Sequence, residues 1–234
     1  MITVSDAFWK FRGHLETTDT EDATASSRQQ KLRGQLDDAF DIVTDFLTGA
    51  YRRHTKTKPL RDVDIMIVLR DTSYLSMHPH EILEEVRKAL AVHYGAARVC
   101  TDRRAVRVDF GIGGWMTGEV ISFDVVPAFE EGDHYLIPDD RLGIWVSTNP
   151  KIHAELATTA NKNFDGQWKP LVKMIKKWNQ VHGSPAGLQP YELKPFLFKV
   201  ILDQTEQVGV VFDEYDLFHC GSCPSVTRVL LQQN

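Results

Sequence analysis

The sequence predicts an α+β protein: a mixed sheet lobe over residues 1–148 followed by a helical lobe over residues 149–234. Short β-branched apolar runs, clearest in Asp62-Val-Asp-Ile-Met-Ile-Val-Leu, are interspersed with amphipathic helical segments in the first lobe. From Asn149 onward apolar residues recur only at helical spacing. The chain, 234 residues and 42% hydrophobic, is long enough to bury a sizeable core.

In chain order, Thr17 to Gln30 is a polar tract, TTDTEDATASSRQQ, that reads as a linker or as the exposed beginning of a helix. Leu32, Leu36 and Phe40 follow at i, i+4 and i+8, the stripe of a helix with one face inward. Asp62 to Leu69 is short, apolar and β-branched, preceded by Pro59 and followed by a polar turn, which predicts a buried strand. Ile82, Leu83, Val86 and Leu90 predict a helix over His80 to Val92. Strands are expected at Val99, over Ala105 to Phe110 and over Val120 to Val126, the last two joined by the glycine-rich stretch Gly111 to Gly118. Ile152 to Ala160, Leu171 to Val181 and Phe196 to Val208 carry helical periodicity. In the second of these, Leu171, Ile175 and Trp178 share one face, expected inward, and Lys173, Lys176 and Lys177 project from the other.

Composition excludes several classes. A net charge of -5 gives no global attraction to nucleic acid or anionic lipid, so phosphate binding must come from a local basic concentration. The longest apolar run, Ile65 to Leu69, is far short of the roughly 20 residues of a membrane span. The start, MITVSDAFWKF, lacks a basic-then-apolar leader, so a cytoplasmic protein with no membrane partner is expected. Three cysteines are too few for a disulfide framework. His219, Cys220 and Cys223 form an incomplete ligand set for structural zinc, and reduced thiols in a C-terminal turn are the favoured reading.

The chemistry is concentrated in Thr48 to Leu69, TGAYRRHTKTKPLRDVDIMIVL. Asp62 and Asp64, two residues apart on a strand, project from one face with backbones about 7 Å apart. Uncompensated, such a pair raises a pKa and costs stability. A divalent cation resolves the conflict, and oxygen ligands point to magnesium or manganese. A two-metal site needs a third carboxylate. Asp124, the lone charge in Ile121-Ser-Phe-Asp-Val-Val-Pro-Ala, is the best candidate and Asp109 its competitor; the bland alternative for Asp124 is an ion pair with Arg104 or Arg107. Between Gly49 and Asp62 lie Arg52, Arg53, Lys56, Lys58 and Arg61, with His54 and no acid. A local charge of +5 beside paired carboxylates and a small-residue turn suits a nucleoside triphosphate with its metals.

This order of glycine turn, basic loop and Asp-x-Asp strand resembles the signature of the polymerase-beta-like nucleotidyltransferase superfamily. More narrowly the chain resembles the bacterial cGAS/DncV-like nucleotidyltransferases, the SMODS oligonucleotide cyclases, over about residues 4 to 202. The matching pieces are Ala7-Phe-Trp-Lys-Phe, Asp45-Phe-Leu-Thr-Gly-Ala-Tyr-Arg-Arg-His-Thr, Pro59-Leu-Arg-Asp-Val-Asp, Phe123-Asp-Val-Val-Pro-Ala-Phe, Tyr135-Leu-Ile-Pro, Trp145-Val-Ser-Thr-Asn-Pro and the helix starting Leu171-Val-Lys-Met-Ile-Lys-Lys-Trp-Asn.

The resemblance implies an enzyme that joins nucleoside triphosphates, ATP or GTP among them, into a cyclic di- or trinucleotide acting on a separate effector in defence against phage, with no nucleic acid required. It implies that two Mg2+ or Mn2+ ions are held by Asp62, Asp64 and Asp124, and that Gly49, Ala50 and Arg53, with Lys173 and Lys177 from the helical lobe, hold the triphosphate. Ala50 stands where the family has Ser, and Pro195 and Lys199 stand where it has Ser and Glu. Two further readings remain at this point: nucleotide transfer to RNA or protein, with Arg103, Arg104 and Arg107 as the thin basis for an RNA groove, and a catalytically weakened nucleotide-binding protein.

Overall fold

The computed structural model describes residues 3–60, 62–110 and 122–182. Arg61, the Gly111 to Gly118 stretch, the helix expected over Phe196 to Val208, Pro195, Lys199, His219, Cys220 and Cys223 lie outside the described residues.

Among the described residues seven strands form the sheet: β1 (Ile42–Leu47), β2 (Asp62–Leu69), β3 (Val99–Thr101), β4 (Val106–Asp109), β5 (Ser122–Glu131), β6 (His134–Asp139) and β7 (Ile144–Thr148). Their order is β1-β2-β5-β4-β3, with β6 pairing β5 beyond its first half and β7 pairing β6. β2 and β5 run parallel, and the other strand pairings among the described residues are antiparallel. β2 has the bounds expected from its sequence. β5 is longer than expected, because Pro127 to Glu131 carries it on to meet β6.

Two helices cover one face of the sheet. α2 (Asp19–Asp37) begins with a capping box, in which the Thr18 hydroxyl accepts from the Glu21 N–H and the Glu21 carboxylate accepts from the Thr18 N–H. That cap makes the polar tract the first half of a helix rather than a linker. α4 (Pro79–Tyr94) has Pro at its first position and ends at Gly95. Ala25, Leu32 and Leu36 of α2 and Ile82, Leu83, Val86 and Leu90 of α4 pack on Val63, Ile65, Ile67, Phe123 and Val125. Phe40 lies beyond the end of α2 and packs on this core partly buried.

On the other face Met66, Val68, Val126, Ala128, Tyr135 and Ile137 make a smaller cluster. Because side chains alternate along a strand, Asp62, Asp64 and Asp124 share that second face, away from the main core.

α1 (Val4–Leu15) packs against α6 (Trp168–His182), and α5 (Pro150–Asn163) joins α6 through Ala157, Ala160, Trp168 and Val172. The expected orientation of α6 is corrected here. Lys173 is buried, at 7% exposure, while Leu171 and Trp178 are exposed. The inversion has a physical cause: α1 meets the lysine face, and the Lys173 ammonium lies 2.6 Å from the Glu16 carboxylate just past the end of α1.

Arg103 and Arg104 both grip the fully buried Asp139, which ties the β3–β4 connection to β6; the Arg104–Asp124 pair weighed as an alternative does not form. Among the described residues no helix is long and apolar enough to cross a membrane.

Candidate active site

β2 and β5 are apolar and β-branched, so they run side by side through the core, and their parallel register decides which acids meet. Asp64 is the direct partner of Asp124, and Asp62 of Ser122. Neighbouring strands lie about 4.8 Å apart, so Asp64 and Asp124 are adjacent across the sheet, with Asp62 about 7 Å along β2. Asp109 pairs with Ser122 from the far side of β5, one strand further from the Asp-x-Asp pair.

Asp62 and Asp124 each have a dedicated neighbour. The Ser122 hydroxyl donates to Asp62 at 2.9 Å. Arg107 is the direct partner of Asp124 on β4, and its Nε and terminal nitrogen donate to the two Asp124 oxygens at 2.8 and 2.9 Å. Burial pushes the Asp124 carboxyl above the ordinary carboxylate range, and the Arg107 contacts offset only part of that rise. Those same hydrogen bonds hold Arg107 firmly charged. The sequence offered Arg107 only as a bland alternative for Asp124; alternation along Val106-Arg-Val-Asp already placed Arg107 and Asp109 on one face.

Gly49 explains itself in this geometry. It opens the short helix α3 (Gly49–Arg52) at φ +57, a backbone state that disfavours residues bearing a Cβ. A Cβ there would overlap the Asp64 carboxylate, lying 2.6 Å from Cγ. The Thr48 N–H donates to the Asp64 carbonyl at 2.9 Å, so the turn is pinned against β2 at this residue. A cleft beside it is lined by Thr48, Gly49, Arg53, Asp64, Met66, Val126, Ile137, Thr148, Pro150 and His153.

The basic loop after Gly49 is unevenly employed. Arg53 faces the cleft, whereas Lys56 pairs with Asp22 and stacks on Tyr51, and Arg52 lies over Phe46. Lys177 reaches the loop from α6, its ammonium 3.3 Å from the Lys58 carbonyl, and Lys173 is held by Glu16. The structure thus brings Gly49, Arg53 and Asp64 into one cleft, sets Asp62 and Asp124 on the same sheet face, and places Lys173 and Lys177 at the α1–loop junction. His153 and Thr148 in the cleft were not singled out, although Thr148 lies in the Trp145-Val-Ser-Thr-Asn-Pro stretch on which the family resemblance rests.

His54, at φ +57, is held below its ordinary range by desolvation and by the charges of Lys169, Lys56 and Lys173. Lys169 is likewise lowered, by burial and then by Lys173. Cations that depress one another in this way form a field that an anion relieves.

Whether these residues suit divalent cations turns on their donors. Three carboxylates in register on one face are a hard, all-oxygen set of the kind magnesium and manganese take, so the donors fit in chemistry and backbone placement. Their side chains are not drawn together: among the described residues no three acidic, imidazole or thiolate groups are placed to hold one ion, and both Asp124 oxygens face Arg107.

Comparison with known proteins agrees with this architecture. Residues 1–161 match the family model of the Second Messenger Oligonucleotide or Dinucleotide Synthetase domain, SMODS. A Cyclic AMP-AMP-AMP synthase of Acinetobacter sp. is 31% identical over 193 residues, 77% of this chain and 53% of the relative. A Cyclic UMP-AMP synthase of Rhodothermus marinus is 24% identical over 185 residues, 66% of this chain and 62% of the relative. The chain therefore spans about half to three fifths of the curated relatives it matches. The solved structure of E. coli MS115-1 CdnC with ATP shares the fold at a TM-score of 0.60 and 16% identity, covering 87% of this chain and 67% of that one. The Rhodothermus marinus CdnE c-UMP-AMP synthase structure does so at 0.56 and 19%, covering 78% and 70%. With more than half of its length matched by the family model and its fold shared with these structures, the chain belongs to the SMODS family of second-messenger oligonucleotide or dinucleotide synthetases.

Proposed function

We propose that this chain joins nucleoside triphosphates, without a template, into a cyclic di- or trinucleotide, and that the product acts on a separate effector protein in antiphage signalling. The observation that carries the reading is the β2–β5 register, which sets Asp64 beside Asp124 with Asp62 on the same face, against a glycine turn with no room for a side chain.

In this reading Asp62, Asp64 and Asp124 hold two divalent cations, Mg2+ or Mn2+. Bound there, such ions supply charge neutralisation for attacking and leaving oxygens, the main requirement of phosphoryl transfer. The Gly49-Ala50 turn offers backbone N–H groups to the triphosphate, and Arg53 meets it from within the cleft. Lys173 and Lys177 add positive charge from α6. Met66, Val126 and Ile137 give the cleft an apolar wall on which a nucleoside can lie. AMP occurs in the products named for two relatives, so ATP is the first substrate to test.

Transfer to RNA is the weaker alternative, because Arg103, Arg104 and Arg107 serve as internal partners of Asp139 and Asp124. Mass spectrometry of products from the purified chain, the four nucleoside triphosphates and magnesium or manganese tests the proposal. Wild type should yield cyclic products; Asp62→Asn and Asp64→Asn should yield none while melting at or above the wild-type temperature, since a like-charge pair is relieved. Product formation by either variant at saturating metal refutes the assignment.

A further inference from the structure

We propose that Arg107 is a resident counter-ion for Asp124, a positioning residue that competes with the divalent cation for this carboxylate and so sets the metal affinity of the site. The inference rests on the reading of Asp62, Asp64 and Asp124 as the metal-holding set, and it concerns what holds the third ligand before metal arrives.

Four observations carry it. Arg107 and Asp124 are direct partners across β4 and β5, so their pairing is built into the register rather than into a mobile loop. The contact is two-pronged, a planar guanidinium fork on both carboxylate oxygens at 2.8 and 2.9 Å, which leaves neither oxygen without a donor. Both side chains are largely out of solvent, Arg107 at 13% exposure and Asp124 at 17%, so water and salt screen the pair weakly. Asp62, by contrast, receives a neutral hydroxyl from Ser122, whereas Asp124 receives a full positive charge from Arg107.

Together these account for a site whose donors fit a cation but whose side chains are not gathered around one. A divalent ion approaching Asp124 meets a guanidinium already on both oxygens. It must share an oxygen with that guanidinium or displace a prong, and either way it accepts a like charge nearby, so metal occupancy and the Arg107 contact weaken each other. Asp62 and Asp102 are the other acids whose charges act on Arg107.

A purely structural pair and a competing counter-ion predict opposite responses to charge removal. If Arg107 only braces the sheet, Arg107→Gln loosens Asp124 and leaves metal affinity equal or lower. If it competes, Arg107→Gln tightens metal binding. The measurement is Mn2+ affinity of the purified chain without nucleotide, read by electron paramagnetic resonance of free Mn2+. Arg107→Gln should lower the Mn2+ dissociation constant by about tenfold, the scale of one charge removed at close range in a half-buried site. Arg107→Lys should stay within about twofold of wild type, because the charge remains. In an Asp124→Asn background the Arg107→Gln step should have a much smaller effect, within about twofold, because Arg107 then acts on the remaining carboxylates only from a distance.

Unchanged or weaker Mn2+ binding by a folded Arg107→Gln protein overturns the proposal while leaving the metal site intact. Absence of Mn2+ binding by wild type overturns the metal reading itself. Should Arg107→Gln fail to fold, the wild-type Arg107 Nε–H resonance decides: it should shift progressively as Mg2+ saturates the site, and a resonance unmoved at saturation overturns the proposal.

Discussion

Replacing Gly49 with alanine adds a single methyl group, and its effect can be worked out from the backbone. The new Cβ would overlap the Asp64 Oδ2, 2.6 Å from Cγ and 3.1 Å from the Asp64 Cβ. Relief must come from the Asp64 side chain itself, because the turn cannot back away while the Thr48 N–H ties it to the Asp64 carbonyl. The left-handed backbone at φ +57 costs an alanine about 1 kcal/mol, and driving Asp64 off its rotamer costs about 1 kcal/mol more. At about 2–4 °C per kcal/mol for a chain of this length, melting should fall by about 4–8 °C, leaving the protein folded at 25 °C. The carboxylate must move by about an ångström, and misplacement on that scale costs about a hundredfold in turnover. The assay is a thermal melt beside initial rates of product formation. Gly34→Ala is the control: Gly34 lies exposed in α2 with no atom within 4 Å of an added Cβ, so the same change there should stabilise by up to about 1 kcal/mol without altering rates. Turnover within about threefold of wild type in Gly49→Ala would refute the claim that the turn and Asp64 form one device.

Three other outcomes follow from the site. Asp124→Asn should remove product formation yet leave triphosphate binding measurable by calorimetry, and the orphaned Arg107 should lower stability by about 1–3 kcal/mol, whereas Asp109→Asn should be mild; the reverse pattern would mean that Asp109 is the third ligand. Ala50→Ser restores a hydroxyl at the turn, worth about 1.5–3 kcal/mol at best against a charged phosphate, so kcat/KM should rise by about tenfold to a hundredfold, and an equal or lower value would show that the turn grips phosphate without that hydroxyl. His54 should titrate below about 6.5 in an NMR pH series, and bound triphosphate should raise it. Because the folded state resists protonating His54, its contribution to stability is complete above that pH and declines as pH falls through the folded value; titration at or above the ordinary value would refute the cation cluster.

What the sequence disclosed follows from which forces are local. Asp62 to Leu69 declared itself because a strand packed on both faces must be nearly all apolar, and α4 because one face of Ile82, Leu83, Val86 and Leu90 had to be buried. β1 was hidden by Asp45, a charge tolerated mid-strand because Arg33 and Gln29 reach down from α2 to hold it at 2.6 and 2.7 Å. β6 was hidden by Pro138 and Asp139, the latter compensated by two arginines 35 and 36 residues earlier. The inward turn of Lys173 depends on Glu16, 157 residues away, and no local pattern registers so distant a partner. At the site, the carboxylates and Gly49 were legible because strand alternation and close approach leave marks in single residues. Asp124 was preferred to Asp109 as the lone charge of an apolar strand, but its place beside Asp64 was not legible, because register is a property of two strands and appears in neither.

The basic loop has one more consequence, which concerns entropy. Its backbone is moored on three sides: the Lys58 N–H to the Leu15 carbonyl at 2.9 Å, the Leu60 N–H to the buried Glu21 carboxylate at 3.0 Å, and the Lys58 carbonyl to Lys177. Fixing a residue from free chain costs about 1–2 kcal/mol, so a slack loop closing on an anion would forfeit much of its attraction in ordering itself. Here folding has already met that cost, and an arriving anion finds Arg53 set in place. The moorings come from α1, α2 and α6, so a change at the amino-terminal helix that touches no cleft residue would slacken the loop, speed amide exchange at Lys58 and Leu60, and weaken anion binding without altering the chemistry at the carboxylates.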